Sequence, residues 1–222
     1  MRIRHLVMLR HGQTEYNAGS RMQGQLDTEL SDLGREQAAA AAEVLAKRQP
    51  VSIVSSDLRR ALDTAVALGE RCGLPVLVDT RLRETHLGDW QGLTHLEVDA
   101  AAPGARLAWR ENARWAPHGG ENRVDVAARS MPLVAELITE QSEWGLDEPD
   151  RPVVLVAHGG LIAALTAALL GLPVDNWPVL GGMGNASWVQ LSGHGKTDAA
   201  PSDIRWRLDV WNASAQVAND VL

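Results

Sequence analysis

The stretch Ile3-Arg4-His5-Leu6-Val7-Met8-Leu9-Arg10, continued by His11-Gly12-Gln13-Thr14-Glu15, decides the reading of this chain. Ile3 to Arg10 predicts a buried strand, because the run from His5 to Leu9 leaves no regularly polar face. An arginine and a histidine then stand side by side where that strand meets a glycine. Ligands bind at such carboxyl ends in open α/β sheets. Gly12 permits a sharp turn and a close approach of backbone N–H groups to a ligand. Arg10 supplies a planar cationic fork suited to phosphate oxygens. By itself Arg-His-Gly is a common tripeptide and fits an ordinary turn with a solvated arginine equally well, so the rest of the chain must decide.

Working outward, strands and helices alternate. Ser31 to Arg48 predicts an alanine-rich helix with Ser31 as its N-cap and Pro50 beyond its end. Val51 to Ser55 predicts a second strand. Asp57 to Cys72 predicts a helix with Leu58, Ala61, Leu62, Ala65 and Leu68 as its apolar positions. Pro75 to Val78 predicts a third strand, and Val153 to Ala157 a central parallel one. Gly159 to Leu170 follows as a helix ended by Gly171 and Pro173. Ala186 to Leu191 and Ile204 to Trp211 are the closing strands, the second half-solvated because Ile204, Trp206, Leu208 and Val210 alternate. The expected fold is therefore α/β, a three-layer sandwich with a mostly parallel central sheet flanked by helices. About fifty residues, 93–143, lie between the third and fourth strands, whereas a crossover needs only about a dozen. They are expected to form a helical cap inserted into one domain spanning 1–222.

Composition narrows the function. A length of 222 residues can bury one large core. The net charge of -7 and the lack of a lysine-rich block argue against a nucleic-acid partner. The solitary Cys72 excludes an intrachain disulfide and most thiolate metal sites. Neither a signal peptide nor a long apolar span is evident, so no membrane association and a cytoplasmic location are expected. The predominance of arginine over lysine, and the eight Trp beside one Tyr and no Phe, read as compositional bias.

Chemistry gathers at the strand ends. Ser55-Ser56-Asp57-Leu58-Arg59-Arg60-Ala61 follows the second strand, Leu82-Arg83-Glu84-Thr85-His86-Leu87-Gly88 the third, and His158-Gly159-Gly160 the fourth. Two His-Gly pairs, two arginines and a carboxylate make a cationic pocket with one acid. On these motifs the chain resembles the histidine phosphatase (phosphoglycerate mutase-like) superfamily over nearly its full length. Arg10-His11-Gly12 matches the family signature, continued by Asn17, Gln23-Gly24 and Leu30-Ser31 to Gly34. Ser56-Asp57-Leu58 with Arg60-Ala61 and Thr64-Ala65 matches the second block, Glu84 with Gly88 and Gly92 the third, and His158-Gly159 the fourth.

The resemblance implies a covalent mechanism without a metal or other cofactor. His11 would accept the phosphoryl group, since a neutral imidazole is well populated at neutral pH. Arg10, Arg60 and His158 would hold the phosphoryl oxygens and supply positive charge. Glu84 would protonate the departing alcohol and then activate water. Asn17, Gln23 and the amide of Gly159 are further phosphate contacts. Family spacing selects Arg60 over Arg59, and Glu84 over Asp89. His5, His86, His95, His118 and His194 show no metal-ligand spacing, and Gly181-Gly182-Met183-Gly184 reads as a loop.

The separation of only 74 positions between Glu84 and His158, and the element Pro117-His118-Gly119-Gly120-Glu121, favour hydrolysis over mutase chemistry. Met22 to Asp27, Glu84 to Trp90 and the Trp-rich carboxyl terminus resemble a phosphatase branch acting on a small phosphorylated metabolite that carries a carboxylate near its phosphate. Arg106, Arg110 and Arg114 recur at four-residue spacing on what would be one helical face. Arg110, Arg114 and His118 are the candidates for reading that carboxylate, the bland alternative being a solvated arginine face. A phosphatase for another sugar phosphate or ribazole phosphate, a phosphoglycerate mutase, and an inactive regulatory binding protein are the competing readings. Trp188, Trp206 and Trp211 would pack the core or join two subunits, and the resemblance implies a homodimer.

Overall fold

A computed structural model describes residues 1–146 and 151–215; residues 147–150 and 216–222 of the expected domain lie outside the described residues. Strand β1 (Arg2–Arg10) is followed by a one-turn helix α1 (Glu15–Ala18), helix α2 (Asp32–Ala46), β2 (Ser52–Ser55), α3 (Arg59–Cys72) and β3 (Val76–Val78). Short helices α4 (His95–Ala101) and α5 (Ala105–Glu111) precede the long α6 (Arg123–Glu140). Then come β4 (Val153–Ala157), α7 (Gly159–Leu169), β5 (Trp188–Gly195) and β6 (Arg205–Ala213).

The strands form one sheet in the order β3-β2-β4-β1-β5-β6. The first four run parallel, β5 runs antiparallel to β1, and β6 antiparallel to β5. Both faces are covered, which is why β4 is apolar at every position and fully buried. One face packs Val7, Leu9, Ile53, Val154 and Val156 under α2 and α3. The other packs Leu6, Met8, Val153 and Leu155 under α6 and α7. This is the expected three-layer α/β sandwich.

Two boundaries differ from the sequence reading for physical reasons. Strand β5 continues past Leu191 through Gly195, because its pairing with β1 runs on to Arg2↔Gly195. Backbone hydrogen bonds, invisible to a hydropathy pattern, carry the strand through Ser192 to Gly195. The stretch expected as a single cap also divides. Helix α6 belongs to the sandwich, burying Val126, Leu133, Val134, Leu137 and Ile138 against α7 and the sheet. Helices α4 and α5 instead gather over a separate small cluster of Met22, Leu87, Trp90 and Val98, with Trp109 and Trp115 packed on it.

Candidate active site

Parallel pairing of β1 with β4 sets Arg10 beside Ala157, so the two His-Gly turns emerge together at adjacent strand ends. The His11 amide donates to the Ala157 carbonyl across 3.1 Å, and the two imidazole centroids lie 5.1 Å apart. Gly12 is glycine because a Cβ there would strike the Gly34 carbonyl of α2, and Gly34 is glycine because its own would strike Gln13. That backbone contact clamps the turn against the helix, and Thr64 Oγ1 accepts the Gly12 amide at 3.1 Å.

His11 is 2 % exposed. Its Nδ1 lies 2.6 Å from the Gly12 carbonyl, which can only accept, so Nδ1 carries the proton. Nε2 is then a bare lone pair, and Arg60 Nε–H donates to it across 3.2 Å. Burial, reinforced by Arg60 and Arg10, pushes the His11 pKa well below the ordinary histidine range, against an opposing pull from the Gly12 carbonyl. Both causes favour the neutral imidazole, whose unprotonated nitrogen is the Nε2 that Arg60 holds.

Arg60 rises from the first turn of α3 and is 1 % exposed. Its Nη2 donates to the Gly24 carbonyl at 2.8 Å and its Nη1 to the Leu26 carbonyl at 2.7 Å, fixing the guanidinium plane. Burial lowers its pKa to about 10, with Glu84 and Asp27 opposing; it remains a cation at neutral pH. Arg59 points outward to Glu29 at 2.5 Å. Arg10 donates to the Met183 carbonyl, while its Nε is buried with no partner among the described residues. The loop that holds Met183 therefore has a part in the site that its glycine-rich sequence did not disclose.

His158 is fully buried. Its Nε2 lies 3.0 Å from Ser56 Oγ, which also accepts the Leu58 amide at 3.3 Å. The serine hydroxyl proton is thereby free to go to Nε2, leaving the hydrogen on Nδ1, which has no partner among the described residues. Burial, then Arg60, His11, Arg10 and Arg129, push the His158 pKa well below the ordinary range. These causes disfavour a charged His158 in the unliganded site, where sequence reading expects it to add positive charge.

Glu84 reaches the start of α7. Its oxygens accept the amides of Gly160 (3.0 Å), Leu161 (3.0 Å) and Thr85 (2.7 Å). Gly159 instead lies under Arg10, whose Nε would sit 3.5 Å from a Cβ there. The carbonyl of Glu84 accepts Arg129 Nη2 at 2.9 Å, and Arg129 in turn pairs with Glu121 at 2.9 Å. Glu121 also accepts the His86 amide at 2.8 Å. The Gly-Gly-Glu element thus buttresses the segment that carries Glu84.

Asn17 Oδ1 accepts the Thr14 amide and Asn185 Nδ2, both at 3.1 Å, and Gln23 Oε1 accepts the hydroxyls of Thr14 and Thr28 at 2.9 and 2.7 Å. Their oxygens are occupied, which leaves the NH2 groups as the amide donors of these two cleft residues. Asn185 was not singled out from sequence; it also reaches the His11 carbonyl at 3.4 Å.

Arg10, His11, Asn17, Gln23, Arg60 and Glu84 line a cleft of about 160 Å³, while His158 is buried behind it and is not part of its lining. Arg21, Leu87, Trp109 and Gly160 are also in its wall. Arg110, Arg114 and His118 do not line it. Helix α5 stops at Glu111, so Arg114 falls off the four-residue series, and Arg106 is engaged by Asp99 at 2.8 Å. Arg110 and Arg114 are exposed, and His118 is exposed beside Asp89 at 2.9 Å. Trp109 is the α5 residue in the wall, its Nε1 buried without a partner among the described residues.

An imidazole with an unprotonated nitrogen, two arginines and a carboxyl group in one cleft are the groups that phosphoryl transfer uses. The chain belongs to the histidine phosphatase superfamily (branch 1), whose family model matches residues 6–208. It is 84 % identical over its whole length to the glucosyl-3-phosphoglycerate phosphatase of Mycolicibacterium vanbaalenii, and 79 % identical, again covering all of both chains, to that of Mycobacterium tuberculosis. The native structure of a mycobacterial glucosyl-3-phosphoglycerate phosphatase superposes with a TM-score of 0.92 at 80 % identity, covering 96 % of this chain and all of that one. Among the described residues no helix is long and apolar enough to cross a membrane.

Proposed function

We propose that this chain hydrolyses glucosyl-3-phosphoglycerate to glucosylglycerate and phosphate, without a metal, through a phosphohistidine on His11. The observation that carries the chemistry is the bare Nε2 of a neutral His11 facing Arg60 across 3.2 Å. What supports the substrate is full-length identity of 79 % or more to phosphatases of that name.

In the first step His11 Nε2 attacks phosphorus and the bond to the substrate's ester oxygen breaks. Glu84, which lines the same cleft, delivers its carboxyl proton to that oxygen. Arg10 and Arg60 stabilise the charge spread over the transferring group, which carries most of the rate in phosphoryl transfer. The Nδ1–H of His158 and the amides of Asn17 and Gln23 complete the set of donors. In the second step Glu84 takes a proton from water, which attacks phosphorus, breaks the P–N bond and restores His11. Trp109, at the cleft wall, is the group that meets the leaving portion of the substrate. Arg110, Arg114 and His118 are kept as outer contacts for its carboxylate. The reading includes a cytoplasmic homodimer, which sedimentation of the purified protein tests.

The deciding experiment is phosphate release from glucosyl-3-phosphoglycerate, 3-phosphoglycerate and an aryl phosphate, each with EDTA present. Strong preference for the glucosylated substrate, undiminished by chelation, is expected. Equal slow turnover of all three would remove the substrate assignment, and loss of activity with EDTA would remove the metal-free mechanism.

A further inference from the structure

Behind the catalytic cleft, at the far end of β1, a second pair of arginines faces inward. The two-residue repeat of a strand puts Arg2, Arg4, Leu6, Met8 and Arg10 on one face. Arg10 serves the catalytic cleft; Arg4 lies six residues earlier, ~20 Å away along the strand. Arg4 is 1 % exposed, yet its Nε and Nη1 have no hydrogen-bond partner, and it makes no ion pair among the described residues. Arg2 is 8 % exposed; it donates one Nη2–H to the Ser142 carbonyl at 2.6 Å and leaves its Nε without a partner.

Across the sheet, β5 presents Gly193 opposite Arg4 and Gly195 opposite Arg2, so neither arginine has a side chain directly opposite it on that strand. A buried guanidinium is costly unless it is paired, and proteins ordinarily match each one with a carboxylate. Burial, and the neighbouring Arg2, lower the pKa of Arg4, the direction expected of a cation short of counter-charge. Both arginines line a cavity of about 410 Å³ between the end of α6 and residues 197–201. That volume falls within the range of small-ligand sites, roughly 300–1,000 Å³, and exceeds the catalytic cleft.

We propose that this cavity is a second anion site, in which Arg4 and Arg2 bind the phosphate group of a small metabolite or free inorganic phosphate. The arginine fork fits phosphate oxygens in pairs, and the hydroxyls of Ser142 and Thr197 border the same space. Asp198 is the carboxylate in the lining; it pairs with neither arginine among the described residues, and its negative charge opposes an anion in the same space. Neither Arg4 nor Asp198 belongs to the catalytic cleft, so the site stands or falls apart from the reaction assigned above.

Equilibrium dialysis of His11→Ala protein, which cannot turn substrate over, tests this with radiolabelled inorganic phosphate and 3-phosphoglycerate as probes. Arg4→Met in that background should remove one bound equivalent per chain, while Arg4→Met alone keeps kcat unchanged. Loss of the equivalent with 3-phosphoglycerate only assigns the site to a phosphorylated metabolite; loss with both probes assigns it to phosphate itself. Asp198→Asn guards against misfolding of the first variant and should tighten the second equivalent several-fold without altering the first. An unchanged number of equivalents in a folded Arg4→Met protein, or unchanged affinity in Asp198→Asn, would overturn the proposal.

Discussion

Arg60 donates its Nε–H to His11 Nε2 across 3.2 Å, so the cation that would bind the transferring phosphoryl group also faces the nitrogen that attacks it. Protonating that nitrogen would set a cation against the guanidinium in a buried space. This explains the direction of the His11 pKa, with burial the larger cause and Arg60 the next. In an imidazole ¹⁵N titration His11 should remain neutral as pH falls through 6.5. Arg60→Met removes a depressing charge, so it should raise the His11 pKa toward the ordinary range. A His11 that titrates near 6.5 in the native protein, unmoved by Arg60→Met, would contradict this arrangement.

Glu84 is held by three backbone amides, so its placement survives loss of its charge better than its chemistry does. Glu84→Gln should lower kcat for a sugar phosphate by about 10²- to 10⁴-fold, the usual worth of general acid–base catalysis. An aryl phosphate leaves without a proton, so formation of its phosphoenzyme should lose far less. Pre-steady-state release of p-nitrophenol separates that step from hydrolysis of the intermediate. Equal losses in the first step for both substrates would mean that Glu84 orders the site and does not donate the proton.

Much of this site was legible in the sequence because its parts sit at strand ends, where chain order and sheet topology leave little freedom. His11, Arg60, Glu84 and His158 were named from motifs, and the parallel pairing of β1 with β4 brings the two histidines together. What escaped reading depends on contacts between distant segments. The Met183 carbonyl on Arg10, the Asn185 bridge to Asn17 and the Arg129 support of Glu84 leave no periodic trace. The arginine series failed because an i, i+4 repeat has meaning only while the helix lasts, and α5 ends at Glu111. Its capping residue Asn112 accepts the Arg114 amide at 2.9 Å and turns the chain away.

Two buried neutral histidines also make stability depend on pH. The folded pKa of His11 and His158 lies below the unfolded value, so the unfolded chain binds more protons between the two values. Stability from this source is complete above pH ~6.5 and is lost as pH falls below it toward the folded pKa values. Each ring contributes a slope of at most ~1.4 kcal/mol per pH unit. Urea unfolding at pH 7.5, 6.5 and 5.5 should therefore show declining stability. His158→Asn should flatten the decline. An unchanged slope in that variant would place the acid sensitivity elsewhere.

Trp109 separates two accounts of how the leaving group is recognised. Its indole N–H is buried at the wall of the cleft with no acceptor among the described residues, and its ring lies edge-on to Trp90 at 6.0 Å. Arg123 covers the ring at 5.9 Å, which limits its motion. A rigid donor of this kind suits a sugar hydroxyl or a carboxylate oxygen. Trp109→Phe keeps most of the ring and removes the N–H, so it should raise KM for glucosyl-3-phosphoglycerate by ~10-fold, the worth of one such hydrogen bond. The aryl phosphate should show little change. Arg110→Ala and Arg114→Ala, both outside the cleft wall, should each move KM less than Trp109→Phe does. If the arginine variants raise KM and Trp109→Phe does not, the carboxylate is read from the exposed side of α5 and the indole only packs.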